Sequence, residues 1–485
     1  MAADCKRASW SGQLAFVLAA SASAIGLGNL WRFPYLAAQY GGGTFIFIYL
    51  VLVVTLGFAL MMTEIAIGRK TRQSQLTAYA RLKRGWGGVG VLGTIVPLVI
   101  APYYCVIGGW VVKYFVTYCR IAFAGAAPLG VAAADSGAFF NAFIASDVAP
   151  LAYALVFLAF VAFVVLLGVK NGIERSNVIL MPVLFALAIG MALYVVFLPG
   201  TGEGLKYYLV PSLDALSEGG VFSLPKLGRT LLGAMGQMFY SGSLAMGIMI
   251  TYGSYMQKRD SIVQSVWRIE FFDTFIALVA GLMIVPVVHM FAVRTGVPVK
   301  EAMHAGAGLM FITLPKVFAT LGAVGDWLGV AFFLLVVFAA LTSAISLYEA
   351  SLAAVCDLLP VGRKAATLGL FVLMALLAAL SALGYGSLDG IRFFATAHSS
   401  GLTFLEFFDF VTNSVLMPIV AALTCVFVGW VIGPKAMFDE IEADGRRFNF
   451  KTPYAFLVRY FAPVLILLIL VQKVCELLGV NGWAI

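Results

Sequence analysis

The sequence predicts an all-α polytopic membrane protein. It has about eleven transmembrane helices, arranged as two inverted sets of five spans plus one more, with spans 1 and 6 broken. Three observations predict this. The 485 residues are 62% hydrophobic and only 11% charged, where a soluble chain carries about 25%, and mean hydropathy is +1.00. Lys and Arg gather in alternate loops. Two glycine- and serine-rich interruptions fall inside membrane-length segments that stand five apart.

Apolar runs long enough to cross a bilayer fall at 12–37, 43–69, 88–122, 149–169, 174–198, 226–256, 262–292, 325–359, 364–384, 402–432 and 454–479. The third and eighth are long enough to tilt. The sequence divides into a first set over 12–198, a second over 226–432, and an additional helix at 454–479. Five is odd, so the second set runs inverted through the bilayer. No short apolar stretch with a cleavage site precedes residue 12, so 12–37 reads as a retained span.

Basic residues set the orientation. Lys6-Arg7, Arg69-Lys70-Thr71-Arg72 with Arg81, Lys83 and Arg84, and Lys170 with Arg175 lie in alternate loops. So do Lys258-Arg259, Arg363-Lys364, Lys435, Arg446, Arg447 and Lys451. The positive-inside rule places all of these in the cytoplasm, with the N-terminus inside and the C-terminus outside. The net charge of +8 is dispersed among spans. It therefore suits anionic headgroups and does not form a nucleic-acid surface. The outer loops are 123–148 with Asp135 and Asp147, 199–225 with Glu203, Asp214 and Glu218, and 293–324. The last holds a helix-like Val299–Met310, then Phe311-Ile312-Thr313-Leu314-Pro315, which reads as a turn. Six cysteines (Cys5, Cys105, Cys119, Cys356, Cys425, Cys475) have no metal-binding or redox spacing and read as unpaired thiols.

The interruption in span 1 is Ala22-Ser23-Ala24-Ile25-Gly26-Leu27-Gly28-Asn29. Two glycines so close weaken a helix and leave its backbone uncovered. Span 6 repeats the pattern in Gly236-Gln237-Met238-Phe239-Tyr240-Ser241-Gly242-Ser243-Leu244-Ala245-Met246-Gly247. Glycine-mediated helix packing explains either one alone. As a pair at corresponding positions, they point to a solute site. Broken backbone is tolerated at membrane depth only where protein buries it or a polar cavity meets it.

At this point the residues resemble the bacterial neurotransmitter:sodium symporters, which share the leucine-transporter (LeuT-type) fold. The stretches that carry the resemblance are Ala24 through Pro34, Gly41-Gly42-Gly43, and Glu64 with Gly68-Arg69. Tyr103-Tyr104, Gly236-Gln237 with Ser241 and Ser243, Ile250-Thr251-Tyr252 with Ser254-Tyr255, and Leu341-Thr342-Ser343 complete the set. They run in order along essentially the whole chain. The resemblance implies a Na⁺-coupled amino-acid symporter of the bacterial cytoplasmic membrane that works by alternating access.

It also implies a site map. One sodium ion would meet Ala24, Asn29, Ser241 and Asp273. A second would meet Ala22, Ile25, Ala339, Thr342 and Ser343. Na⁺ is hard and wants oxygen ligands. Asp273 stands where animal members place Asn and need chloride, and Ala277 lacks the hydroxyl those members carry, so no chloride requirement is expected. The substrate would lie against Ser23, Ala24, Gly26, Leu27 and Gly28 of span 1, and Ile100 and Tyr104 of span 3. It would also touch Tyr240, Ser241, Ser243 and Met246 of span 6, and Ser343 and Leu347 of span 8. Met246 is deformable, and Ser23 is small. Both favour hydrophobic or aromatic L-amino acids.

Gates are implied as well. Arg32 and Asp409 would pair above the site, with Tyr104 and Tyr240 as a lid. Arg7, Trp10, Tyr255 and Asp357 would close the cytoplasmic side. Glu64 would be structural support for the broken span 6. Gly172 and Pro182 would mark a segment of span 5 that unwinds, or a plain proline kink. Without the resemblance, Thr342 and Ser343 equally fit hydroxyls bonded back to their own helix, and Glu349 fits no single role. Competing classes have less behind them. No HExxH, GxSxG or phosphate loop suggests an enzyme, and nothing repeats like a channel filter. His289, His304 and His398 lie in or near outer regions. A sodium-dependent amino-acid sensor that binds without transporting would share the same site, and counterflow in proteoliposomes separates the two.

Overall fold

The computed structural model describes residues 8–124, 136–303, 306–395 and 401–478. Arg7, Cys5, Asp135, His304 and His398 lie outside the described residues. Within them the chain is helical apart from loops and a two-residue hairpin, Ser217–Glu218 with Val221–Phe222. Among the described residues nine helices are long and apolar enough to cross a bilayer: Gly43–Thr71, Gly87–Phe123, Ala149–Leu166, Val169–Val196, Ile262–Thr295, Ala323–Leu358, Arg363–Leu383, Phe404–Val431 and Lys451–Cys475. The pair Gln13–Ala24 and Gly28–Gln39, bent by 52°, makes a tenth. Leu224–Ser241 and Ile248–Ser254, separated by the Gly242–Gly247 interruption, do not meet that length and apolarity and are counted together as one further, broken span. We number them spans 1 to 11 in chain order. The architecture is the broken-helix inverted repeat of the leucine-transporter type.

Both breaks have local causes. In span 1 the helix stops at Ala24, and Ile25 takes an extended conformation with φ −75° and ψ 100°. The freed amides are then claimed by side chains. Gly26 N donates to Asn29 Oδ1 at 3.2 Å, and Leu27 N donates to the Tyr104 hydroxyl at 3.2 Å. In span 6 the chain alternates into the left-handed region, with φ of 51° at Ser243, 58° at Ala245 and 72° at Gly247. Left-handed residues other than glycine cost about 1–2 kcal/mol each, so something outside the segment must hold them. Glu64 of span 2 accepts from Ala245 N at 2.7 Å, and Ser243 Oγ donates to Ser23 O at 3.2 Å. The strain thus sits where the two breaks touch.

One end of the bundle is tied by charge. Arg69, fully buried, donates to Glu440 Oε1 at 2.8 Å and to Asp260 O at 2.6 Å, and it also meets the Glu440 carbonyl. Lys258 reaches Glu440 at 2.5 Å. One carboxylate therefore joins span 2, the loop after span 6 and the helix Lys435–Ile441 between spans 10 and 11.

Two expectations for the outer loops are corrected. Of the stretch expected as one helix, Val299–Met310, the residues Val299–Ala302 form a short helix and Leu309 and Met310 belong to the next one, with 304 and 305 outside the described residues. The turn expected at Phe311–Pro315 is instead helical, from Leu309 to Ala319. Pro315 stands in the first turn of its α-helical part, where proline lacks nothing the helix needs. Phe311 is buried and stacks on Phe140 at 5.1 Å. Gly172 and Pro182 both lie in continuous helix, so span 5 is wound in this conformation. The five described cysteines are unpaired.

Candidate functional site

The two breaks, with spans 3 and 8, enclose a chamber. It is lined by Ser23, Ala24, Gly26, Leu27 and Gly28 from span 1 and by Ile100 and Tyr104 from span 3. Span 6 contributes Tyr240, Ser241, Ser243, Met246 and Ile248, and span 8 contributes Ser343 and Leu347. Ile248 was missed from sequence. It is the first residue of the inner half of span 6, so its position follows only once Gly247 is known to end the break. The free volume is about 30 Å³, room for about two waters. A larger occupant needs side-chain movement, which an unbranched, flexible Met246 is suited to give.

Glycine is needed at two points of the lining. A Cβ at Gly26 would stand 2.6 Å from Ser343 Oγ and 2.9 Å from the Tyr104 hydroxyl. One at Gly28 would meet the Tyr240 ring at 2.5 Å. The close approach lets backbone amides and carbonyls join the serine and tyrosine hydroxyls in the polar surface of the chamber. Gln237, also missed as a site element, braces this backbone by donating Nε2 to Gly28 O at 3.0 Å.

Two oxygen clusters flank the chamber. In the first, Asp273 is buried in span 7. Its Oδ1 accepts from Asn29 Nδ2 at 2.7 Å, and Ser241 Oγ lies 2.8 Å from each carboxylate oxygen. Spans 1, 6 and 7 are thereby clipped together. In the second, Ser343 Oγ stands 3.0 Å from Ser23 O and 3.3 Å from Ile25 O. Thr342 Oγ1 bonds back to Phe338 O and Ala339 O, both at 3.1 Å, so its back-bonded arrangement is the one present here. Ala22 and Ala339 are fully buried on the same two spans. Apart from the Asn29 amide nitrogen on Asp273, both clusters offer hydroxyl, carbonyl and carboxylate oxygens, which suit a hard cation.

The two sides of the chamber differ. On one side lies a cavity of about 810 Å³ that reaches Arg32, Tyr240, Asp409 and Asn413. Arg32 and Asp409 do not form the expected ion pair in this conformation. Arg32 sits over the Tyr240 ring at 5.4 Å, with Nη1 3.5 Å from Gly236 O. Asp409 is instead bonded by Tyr103 and Asn413. On the other side, Trp10 is fully buried. Its Nε1 donates to Tyr252 O at 3.0 Å, and its ring packs edge-on to Tyr255 at 5.8 Å. Tyr255 donates to Glu349 at 2.7 Å, and Glu349 pairs with Arg363 at 2.5 Å. Glu349, without a role from sequence, is thus a buried strut between spans 6, 8 and 9. Asp357 accepts from Ser74 N at 2.6 Å.

Glu64 offers a direct test of support. Replacing it with Leu strands the Ala245 amide and is expected to cost about 1–3 kcal/mol. Glu64→Gln keeps an acceptor and should stay close to the parent. Thermal unfolding in detergent measures both, and equal losses would show that charge, not the hydrogen bond, matters.

Comparison with known proteins places this geometry. The model of the sodium:neurotransmitter symporter family matches residues 7–125 and 145–483. An uncharacterized sodium-dependent transporter of Bacillus subtilis, YhdH, is 32% identical over 97% of this chain and 98% of its own. The human sodium- and chloride-dependent GABA transporter 2 is 25% identical over 90% of this chain and 75% of its own. Among solved structures, MhsT in complex with L-phenylalanine superposes with a TM-score of 0.82 at 33% identity, covering 96% of this chain and 100% of that one.

Proposed function

This chain belongs to the sodium:neurotransmitter symporter family, and from that membership we propose that it carries hydrophobic or aromatic L-amino acids inward with two Na⁺ ions, independently of chloride. Sodium-coupled transport is the work of the family, whose members are transporters and not enzymes. The observation that carries the finer reading is the chamber between the broken spans, with an oxygen cluster on each flank. In this reading Ala24, Asn29, Ser241 and Asp273, completed by the substrate carboxylate, hold one ion. Ala22, Ile25, Ala339, Thr342 and Ser343 hold the other. A carboxylate shared between ion and substrate makes each raise the affinity for the other.

The substrate ammonium would face the carbonyls of the two breaks. Its carboxylate would face the glycine amides and Tyr104. The side chain would face Ile100, Met246 and Leu347, where among the described residues no charged side chain lines the chamber to receive an ionic one. The solved relative holding L-phenylalanine supports that class. Arg32 with Asp409 would gate the outside, and Arg7, Trp10, Tyr255 and Asp357 the inside. Unwinding between Gly172 and Pro182 would open the inner path. We read 12–198 and 226–432 as the two repeats and 454–479 as the additional helix, in a bacterial inner membrane with the N-terminus in the cytoplasm and the C-terminus outside.

Competition against labelled L-phenylalanine, with and without Na⁺, tests this. Aromatic and large aliphatic amino acids should compete, and Gly, Asp and Lys should compete poorly. Met246→Phe should weaken Trp and Tyr more than Leu, by about 1–3 kcal/mol of overpacking, or roughly ten- to hundredfold. Equal weakening of Trp and Leu would show that residue 246 does not face the substrate side chain. Strong competition by Gly alone would overturn the substrate class.

A further inference from the structure

Consecutive residues of an α-helix point about 100° apart, and span 3 uses this at Tyr103 and Tyr104. The Tyr104 hydroxyl accepts from Leu27 N of the broken span 1 at 3.2 Å. The Tyr103 hydroxyl instead donates to Asp409 Oδ1 of span 10 at 3.1 Å. Asn413, four residues beyond Asp409, closes a ring. Its Nδ2 donates to Asp409 Oδ1 at 2.6 Å and to the Tyr103 oxygen at 3.1 Å.

The ring is one-sided. Both donors fall on Oδ1. Asp409 Oδ2 accepts nothing among the described residues and is not among the shielded atoms, while the residue lines the outer cavity. The other end of Asn413 is left without a partner. An ionised carboxylate can only accept, so the amide must face it with its nitrogen. Its Oδ1 is thereby turned away, shielded from solvent and unbonded. Shielded acceptors are rarely left unpaired, and each instance asks for a reason. Here the reason is the placement of two N–H groups.

We propose that Tyr103 and Asn413 are positioning residues of the outer gate. They saturate one oxygen of Asp409 and turn the other to the cavity, where Arg32 can meet it. This rests on the reading of Arg32 and Asp409 as a gate. In the open arrangement Arg32 waits over Tyr240. When the gate closes, the guanidinium moves to an acceptor whose orientation is already fixed, so little ordering remains to be done. Because Tyr103 adjoins Tyr104, a shift of span 3 that accompanies filling of the chamber also moves the Asp409 support. Pocket and gate share one rigid piece of helix.

The test uses the full chain in lipid nanodiscs, with spin labels on either side of the outer cavity. Electron spin distance measurements with Na⁺ and L-phenylalanine give the closed-to-open ratio. Asn413→Ala and Tyr103→Phe should each lower that ratio about tenfold, and neither should lower it further in an Arg32→Ala background. Tyr103→Phe removes only a hydroxyl and should leave the fold intact. Equal shifts with and without Arg32 would mark a structural role and overturn the proposal. So would no shift from either variant where Asp409→Ala shifts the ratio. If Arg32→Ala and Asp409→Ala both leave the ratio unchanged, the gate reading falls first and takes the proposal with it.

Discussion

Uptake by the unaltered protein is expected to run equally fast in chloride and in gluconate, and Asp273→Asn is expected to lower sodium affinity at least tenfold. The carboxylate is buried, and among the described residues no Lys or Arg forms an ion pair with it. Its contacts are an amide and a hydroxyl, from Asn29 and Ser241. A charged group inside a membrane protein faces a partner or a polar path, and a cation beside Asn29 and Ser241 supplies one. Asparagine keeps the shape and one carbonyl oxygen but removes the charge. At the reduced dielectric of the interior a charge–charge attraction is worth several kcal/mol, so the loss should exceed the ~1.4 kcal/mol of a tenfold change. Ala277, buried one turn further on, leaves no hydroxyl to recruit an anion. Adding Ala277→Ser to Asp273→Asn should therefore create partial chloride dependence. A strict chloride requirement in the parent, or an unchanged sodium titration in Asp273→Asn, would sink the assignment.

The second large effect is expected from Thr342→Ala combined with Ser343→Ala. Ser343 holds the span 1 break through Ser23 O and Ile25 O. Thr342 bonds only its own helix here, so its hydroxyl can leave those carbonyls at little cost when a cation approaches. Losing both should reduce sodium affinity at least about tenfold while the protein remains folded and extractable. Titrating Na⁺-dependent binding of L-phenylalanine to the double variant measures it. Each single variant should lose less, and Ser343→Ala more than Thr342→Ala, because Ser343 also fixes the backbone. An unchanged sodium titration in the double variant would show that the second ion lies elsewhere.

Spans were legible because a bilayer selects one variable, apolar length, and among the described residues nine helices and the bent first pair obey it. The breaks were legible because glycine pairs and small polar residues stand out against that background. Their geometry was not. That Ser243 and Ala245 would turn left-handed depends on Glu64, which lies 181 residues from Ala245, and no local pattern encodes that. The chamber lining followed the sequence motifs, yet Ile248 and Gln237 carry ordinary side chains whose placement only tertiary packing decides. The Phe311–Pro315 turn failed because proline signals a helix start as readily as a break. The Arg32–Asp409 pair failed in this conformation for another reason. A sequence names the members of a gate but not which state is being observed.

The clasp of Arg69 by Glu440 has a consequence for how the chain is made. The two residues are 371 positions apart. At about 5–20 residues per second, Arg69 waits roughly 20–75 s after its own synthesis before its carboxylate exists. During that interval a guanidinium destined for complete burial must stay hydrated. The inner end of span 2 therefore cannot seat until the tenth span has been threaded into the bilayer. Thr63 waits longer still for Tyr454 of the eleventh span, whose hydroxyl lies 2.5 Å away. A nascent polypeptide released before the last connection is synthesised would carry all the groups of the chamber and lack the clamp that lets the second helix settle.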